Sequence, residues 1–404
     1  MKIGIVGQGY VGLPLAMAFC ESGIQVIGFD LDVSKISALN NGISHVEDIS
    51  NEVLKKTIAS GNYKATSDPK DLSTITVAII AVPTPLDGDR NPDLKYLISA
   101  SEILGENLQA QTLIINESTS YPGTLRNLIA ETVAKASSKD LKHHFAISPE
   151  RVDPGNKKWS IRTTPRIYAG LTVESSKLTR DVYALICDDL IEVSSPEVAE
   201  AAKLFENTFR QVNIALVNEL ALIMRAMDVS VNEVIDAASS KPYGFMKFLP
   251  SIGVGGHCIP VDPTYLAYAA KNAGVEPRFI ELANSVNLQM PTKIIQRIKS
   301  ENGGSLAGKK ILVCGVAYKS NISDTRESPS EILIANLKKE GAKVSWYDPL
   351  VVSWNGENST LPEPKNFDIA IVAVLHDAMN KNVISESSDY VFDCTGKIDT
   401  ENKL

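Results

Sequence analysis

Residues 2–6, Lys-Ile-Gly-Ile-Val, form a short apolar run that passes straight into Gly7-Gln8-Gly9-Tyr10-Val11-Gly12 and then into the amphipathic stretch Leu13 to Glu21. A strand, a G-x-G-x-x-G turn and a helix in that order leave few folds open. Gly7 permits the tight turn, Gly9 lets a pyrophosphate reach the backbone, and Gly12 lets helix and strand pack closely. The helix N-terminus adds partial positive charge and free N–H donors. The next apolar run, Gln25 to Phe29, ends at Asp30, 23 residues after Gly7. A carboxylate there accepts hydrogen bonds from ribose hydroxyls and repels a 2′-phosphate, so the pattern points to NAD rather than NADP. Lys35 is a further candidate ribose contact. The competing reading is a βαβ unit that binds nothing.

Strand-like runs recur at Ile75 to Val82, Thr112 to Asn116 and His143 to Ile147, separated by helical stretches at Leu94 to Leu108 and Thr124 to Ala136. This alternation predicts a doubly wound parallel sheet, whose ligands sit at the C-terminal strand ends. The residues at those ends are Val82-Pro83-Thr84-Pro85, Glu117-Ser118-Thr119 and Ser148-Pro149-Glu150-Arg151. Each alone reads as a turn; together with the first two strand ends they read as one rim. Arg166 to Gly170 and Leu190 to Val193 look like further strands, which places the first domain at 1–195.

Pro196 opens a helical pattern that continues to about Met227. About 30 residues make a rod about 45 Å long, able to join two domains and to present a face for dimerisation. Lys203 and Asn207, four apart, share one side of it. Among apolar neighbours, Lys203 can act on a developing oxyanion in a partly dry site, or simply snorkel from an amphipathic helix. Further helices are expected at Val231 to Ser239, Pro263 to Ala273 and Glu276 to Lys299, giving a helical middle domain at 196–300. Within it lies Gly253-Val254-Gly255-Gly256-His257-Cys258-Ile259-Pro260-Val261-Asp262. The glycines suit a backbone that a ligand approaches closely, and a thiol near His257 and Asp262 has the parts of an activated nucleophile. The same residues also read as a turn with an inert cysteine.

After Gly303-Gly304-Ser305 the alternation resumes: strands at Lys309 to Cys314, Lys343 to Tyr347, Phe367 to Val374 and Tyr390 to Phe392, and a helix at Pro329 to Glu340. This second αβ domain, 301–404, lacks the glycine fingerprint, since Gly315 stands alone in Gly315-Val316-Ala317-Tyr318-Lys319, and should hold a different ligand. Lys319 and Arg326 suit diphosphate or carboxylate contacts, although Asp324 to Glu327 reads equally as helix capping. His45 and His376 are isolated and read as structural. A net charge of -8 argues against a nucleic-acid or anionic-membrane surface. The five cysteines form no CxxC pair, so neither a disulfide framework nor a structural metal is expected. No apolar run approaches the length of a membrane span, and the expected location is cytoplasmic.

Taken together the chain resembles the UDP-glucose/GDP-mannose dehydrogenase family, the nucleotide-sugar 6-dehydrogenases that make uronic acids. The resemblance rests on the fingerprint at 7–12, Val82 to Pro85, Glu117 to Thr119, Ser148 to Glu150, Lys203-Leu204-Phe205-Glu206-Asn207, Gly255-Gly256-His257-Cys258 and Ser323-Asp324-Thr325-Arg326-Glu327-Ser328. It implies two Rossmann-like domains joined by a long central helix and a helical domain, and a homodimer, or a higher assembly, formed through that helix. It implies NAD as cofactor, held by Gly7, Gly9, Tyr10, Val11, Gly12, Asp30, Lys35, Thr84, Thr119 and Arg326. It implies a UDP-sugar as substrate, held by Glu150, Arg151, Val152, Lys203, Asn207, Gly255 and Lys319. Cys258 would be the nucleophile, Lys203 would stabilise oxyanions, Asn207 would help form the anion-binding pocket, Asp262 would handle protons, and Glu150 and Thr119 would position substrate or water. His257 and Val261 stand where UDP-glucose enzymes commonly carry Ser and Lys. Together with Ser148 to Asn156, they resemble the branch acting on UDP-N-acetylhexosamines, UDP-N-acetylglucosamine first. The Arg that the family often lends across a subunit boundary is missing from Lys241 to Lys247, where a Lys is the substitute at hand. Other readings are a two-electron hydroxyacid dehydrogenase and a non-catalytic nucleotide-sugar sensor.

Overall fold

The computed structural model describes residues 1–151, 156 and 158–404, and the chain divides into two compact units, Met1–Glu206 and Asn207–Leu404. The first is built on an eight-stranded sheet. Its elements in chain order are β1 (Lys2–Val6), α1 (Gly12–Glu21), β2 (Gln25–Phe29), α2 (Val33–Asn40), α3 (Asn51–Ala59), β3 (Tyr63–Thr66) and β4 (Val77–Ile80). They continue with α4 (Lys95–Asn107), β5 (Leu113–Asn116), α5 (Ala130–Ala136), β6 (His144–Ile147), β7 (Arg166–Gly170), α6 (Val173–Tyr183) and β8 (Leu190–Glu192). The strand order β3-β2-β1-β4-β5-β6-β7-β8 reverses direction between β1 and β4, the position where open α/β sheets bind ligands.

β4 and β5 are buried along their whole length, which is why they read as continuous apolar runs rather than alternating ones. Ile3, Ile5, Val77, Ile79 and Ile115 pack with Leu15 and Phe19 of α1, Leu39 of α2, Leu54 of α3 and Tyr183 of α6. Val6, Ala78, Ile80 and Ile114 point the other way, onto Leu97 and Leu104 of α4 and Val133 of α5. Two helical layers therefore sandwich one sheet, as the period-two alternation of strand side chains requires.

The sheet is parallel from β3 to β6, as expected, and only then reverses: β7 runs antiparallel to β6, with Ala146 opposite Gly170 and Ile147 opposite Ala169. A parallel pairing needs a crossover, usually a helix. The connection from 148 to 165 carries no helix among its described residues, so the chain returns in the opposite direction. The stretch read as one helix at 124–136 opens with a π-helical turn, Leu125–Ile129.

Helix α7 (Pro196–Ala226) crosses the division, as its unbroken periodicity predicts. The second unit continues with α8 (Val231–Ser239), α9 (Asp262–Asn272), α10 (Arg278–Glu301), β9 (Lys310–Cys314), α11 (Pro329–Lys339) and β10 (Lys343–Tyr347). A small hairpin of β11 (Ser353–Trp354) and β12 (Glu357–Asn358) follows, then β13 (Phe367–Val372), α12 (Lys381–Glu386) and β14 (Ser388–Asp393). The sheet order is β10-β9-β13-β14, all parallel. Ile294, Ile295 and Ile298 of α10 pack with Leu333 and Leu337 of α11 on Ile311, Val313 and Ile369. Among the described residues, no helix is long and apolar enough to cross a membrane.

The two sheets repeat one local plan. Gly7 N–H donates to Phe29 O at 2.8 Å, and Gly315 N–H donates to Tyr347 O at 2.8 Å. Ala81 N–H donates to Val6 O, and Ala373 N–H to Cys314 O, at 2.8 and 2.9 Å. β9, β10 and β13 thus stand to one another as β1, β2 and β4 do.

Candidate active site

The turn after β1 is shaped by what a side chain would meet there. Gly7 has φ +96°, and a Cβ on it would lie 2.4 Å from Ala81 O. A Cβ on Gly12 would lie 1.8 Å from Gly7 O, so helix and turn touch backbone to backbone. A Cβ on Gly9 would meet nothing within 4 Å. The backbone at Gly9 therefore faces open space at the head of α1, the cradle a pyrophosphate needs. Tyr10 is exposed and Val11 half-buried beside it.

Asp30, at the end of β2, accepts from Gln8 N–H at 2.9 Å and pairs with Lys35 Nζ at 2.8 Å on the same oxygen. Its other oxygen accepts from Asp32 N–H at 3.0 Å. The carboxylate is thus fixed before any ribose arrives, and Lys35 acts through it. These residues fit a dinucleotide.

Ser118 Oγ donates to Val82 O at 2.8 Å, which ties the loop carrying Thr84 to the loop carrying Thr119. Thr84 is buried and Thr119 half-buried. The second loop is also pinned from α7. The Glu200 carboxylate accepts from Ser120 Oγ (3.1 Å), Gly123 N–H (2.6 Å) and Leu125 N–H (2.9 Å). Burial pushes this carboxyl up to about 7, against the pull of those donors.

Glu150 follows β6 and donates its N–H to Glu117 O at 3.3 Å. Beneath it Glu117 is buried against Arg166, 2.9 Å away, with Tyr183 OH as a second donor. Arg151 is engaged with Glu206 at 2.6 Å and with Pro165 O at 2.8 Å. Val152 lies outside the described residues.

Lys203 and Asn207 are both buried, one turn apart on α7. In the second unit Asn207 Nδ2 donates to Asp262 Oδ2 at 2.6 Å, joining two of the expected site residues directly. Cys258 stands exposed just before α9, and its carbonyl accepts from Asp262 N–H at 2.8 Å. Cys20, Cys187, Cys314 and Cys394 are buried. Burial pushes the Cys20 and Cys314 thiols up to about 12 and raises those of Cys187 and Cys394 as well. Burial, and after it the Arg326 charge, hold His257 below the ordinary imidazole range. His257 is therefore neutral near pH 7.

Gly255 and Gly256 carry Cys258 across the face of Tyr318. A Cβ on Gly255 would lie 2.7 Å from Tyr318 Cβ, and one on Gly256 would lie 2.8 Å from the ring. Gly256 N–H donates to Arg326 O at 3.0 Å, while the Arg326 side chain pairs with Asp324 at 2.6 Å. The cap of α11 is Ser328, not the Asp324 segment. Lys319 is half-buried in the loop after β9. Of the lysines near the missing Arg, Lys247 pairs with Asp236 at 2.5 Å and Lys241 lies over the Tyr243 ring.

Sequence reading missed the group at the second set of strand ends. Asp348 follows β10 as Asp30 follows β2, and its Oδ2 accepts from Val316 N–H (2.9 Å) and Ala317 N–H (3.2 Å). Burial pushes its carboxyl up, but the His376 hydrogen bond and the N–H groups of Leu350 and Val316 outweigh this and hold it below the usual range. The signal available was the match of Tyr347-Asp348 to Phe29-Asp30, each closing the second strand of its unit. Ala317 occupies the place of Gly9, and the N–H that a phosphate would seek is already taken.

A doubly wound sheet with an open glycine turn and a fixed ribose carboxylate defines an NAD-binding protein. A second sheet of like plan and an exposed thiol stand in the other unit. The sequence matches the UDP-glucose/GDP-mannose dehydrogenase family in its NAD binding domain (residues 1–187), its central domain (197–289) and its UDP binding domain (312–400). The chain belongs to that family and is an NAD-dependent nucleotide-sugar dehydrogenase. It is 36% identical to a UDP-N-acetyl-D-glucosamine 6-dehydrogenase of Salmonella typhi, over 93% of this chain and 90% of that one. It is 33% identical to a UDP-N-acetyl-D-mannosamine dehydrogenase of Methanocaldococcus jannaschii, over 100% and 92%. Its fold matches the structure of a UDP-D-ManNAc dehydrogenase from Pyrococcus horikoshii with TM-score 0.90 and 32% identity, covering 100% of this chain and 97% of that one.

Proposed function

We propose that the protein oxidises the C6 hydroxymethyl group of a UDP-N-acetylhexosamine, UDP-N-acetylglucosamine first among them, to the carboxylic acid through a covalent Cys258 intermediate. The observation that carries this reading is the exposed Cys258 at the head of α9 on a glycine-lined turn, while the other four cysteines are buried. NAD, when bound, accepts a hydride in each of the two oxidations. Between them the Cys258 sulfur adds to the C6 aldehyde and a proton goes to the aldehyde oxygen. Oxidation of that thiohemiacetal leaves a thioester; water then adds, the C–S bond breaks and the thiol is restored. A covalent tether keeps the aldehyde from escaping between oxidations.

Lys203 supplies the cation for the oxyanions, Asn207 donates beside it, and Asp262, held by Asn207, handles the proton of the attacking water. Glu150 and Thr119 position substrate or water. Lys319 holds the UDP-sugar, and Arg326 serves the cofactor. The N-acetyl preference rests on His257 and Val261 beside the nucleophile and on the activities for which relatives at 33–36% identity are named. One of those relatives is named for the gluco epimer and the other for the manno epimer, so the manno epimer is the second reading.

The protein acts as a dimer through α7. In support, Phe205, Phe209, Leu216 and Ile223 are exposed on that helix, spaced four, seven and seven apart as a packing stripe requires. The deciding assay counts NADH per sugar nucleotide across UDP-glucose, UDP-N-acetylglucosamine and its epimers. Two per UDP-N-acetylglucosamine with acid as product is expected. One per substrate indicates a hydroxyacid-type reaction and overturns the covalent route.

A further inference from the structure

We propose that His376, which follows β13, is a positioning residue: it latches the loop that carries Tyr318 and Lys319, and so sets both the UDP-sugar contact and the platform under the Cys258 turn. This rests on the reading that Lys319 holds the UDP-sugar.

His376 is 1% exposed. Its Nε2 lies 3.0 Å from Asp348 Oδ2, and its Nδ1 accepts from Asn321 N–H at 2.9 Å. A carboxylate can only accept, so the ring hydrogen sits on Nε2 and Nδ1 is left to receive the Asn321 N–H. One imidazole–carboxylate pair thus grips the Val316–Asn321 loop at both ends. Asp348 takes the N–H groups of Val316 and Ala317 at its start, and His376 takes that of Asn321 at its finish.

The finish is a sharp turn, with Asn321 at φ 66°. There the Asn321 side chain exchanges two hydrogen bonds of 2.9 Å with Asp377. Between the two grips stand Tyr318, packed on Gly255 and Gly256, and Lys319. Loosening the latch therefore frees the Lys319 backbone and the surface on which the Cys258 turn rests. A histidine that merely fills the core has no such consequence for ligand affinity.

Two substitutions separate the roles. His376→Asn places its amide oxygen near the position of Nδ1, keeps an acceptor for Asn321 N–H and gives up the Asp348 contact. His376→Gln reaches Asp348 with its amide nitrogen and gives up the Asn321 acceptor. The measurements are UDP binding by calorimetry, KM for the UDP-sugar, KM for NAD, and Tm. In His376→Gln, UDP affinity falls and KM for the UDP-sugar rises, each about five- to tenfold, the lower end of the range for an N–H left unpaired, as suits a part-buried one. KM for NAD stays unchanged, and His376→Asn stays within about twofold on every ligand measurement. Equal loss in both variants, or wild-type UDP affinity in His376→Gln, overturns the latch. If the buried variants fail to fold, Asn321→Gly loosens the same loop from the surface, keeping the turn and the N–H but losing the Asp377 pair. A fall of about twofold in UDP affinity is then expected, and no change overturns the proposal. Wild-type UDP affinity in Lys319→Ala would instead show the underlying Lys319 reading to be at fault.

Discussion

Gly9→Ala and Gly12→Ala should separate cofactor binding from folding, although both sit in one turn. A Cβ on Gly12 falls 1.8 Å from Gly7 O, at least about 1.2 Å inside the closest approach that real side chains make. Both atoms are held by backbone, so neither can swing away. The cost is that of overpacking, on the order of 3 kcal/mol, which lowers Tm by several degrees in a unit of this size. A Cβ on Gly9 meets nothing within 4 Å, and Gly9 is absent from the positive-φ positions of the chain. Alanine there costs the fold nothing and, by restricting the unfolded chain, adds roughly 0.4–1 kcal/mol. Its methyl group instead stands in the space a pyrophosphate must enter, a clash of about 1–3 kcal/mol, so NAD Kd rises by roughly 5- to 150-fold. The assays are NAD titration by calorimetry and thermal melting without cofactor. Gly9→Ala should melt at or slightly above wild type and bind NAD poorly; Gly12→Ala should melt early. Wild-type NAD affinity in Gly9→Ala would falsify the placement of the phosphates at this turn.

Other outcomes follow from the same geometry. Cys258→Ala should lose all acid product while keeping NAD affinity; continued acid formation rules out the thioester route. Asp30→Ala removes the acceptor shared by Gln8 N–H and Lys35 and should weaken NAD by about tenfold, the cost of a charge-assisted hydrogen bond. It should also narrow the preference over NADP; equal affinity for NAD before and after places the ribose elsewhere. Glu200, raised from 4.5 to about 7, holds a proton in the native state that the unfolded chain releases. Native stability therefore falls as pH rises from about 4.5 to 7 and levels off above, a loss of at most roughly 3 kcal/mol. The urea midpoint of wild type relative to Glu200→Gln should drop across that window, and a pH-independent difference would show that Glu200 does not titrate there.

What the sequence made legible was whatever a local pattern controls. The glycine fingerprint located β1 and α1, and whole-length burial of β4 and β5 left continuous apolar runs to find. α7 could be traced to within a residue because nothing interrupts its period. β3 escaped notice because it is an edge strand of four residues, Tyr-Lys-Ala-Thr, without a Val, Ile or Leu. α6 escaped because its stretch is polar overall, although Thr172 and Ser175 form a capping box that announces its start. The reversed direction of β7 is set by the route of the preceding connection, which no residue type encodes. Within the candidate site, the expected residues belong to local motifs that can be read along the chain. Their supports, Glu200 under the Thr119 loop and His376 under the Lys319 loop, act across about 80 and 55 positions of chain and become visible only in three dimensions. His376 read as structural in the sequence, and burial agrees; what it supports is a loop with chemistry on it.

The carboxylate of Asp348 behaves as a permanent counter-ion for the turn after β9. Inorganic phosphate, pyrophosphate or a compound imitating them can compete for the equivalent turn after β1, where a glycine leaves the amides accessible. They have no comparable landing place at Val316 and Ala317, which the chain has already neutralised from within. Inhibitors built around a bare diphosphate should therefore register against cofactor in competition kinetics, and selectivity for the sugar-nucleotide side has to come from the base and the hexose.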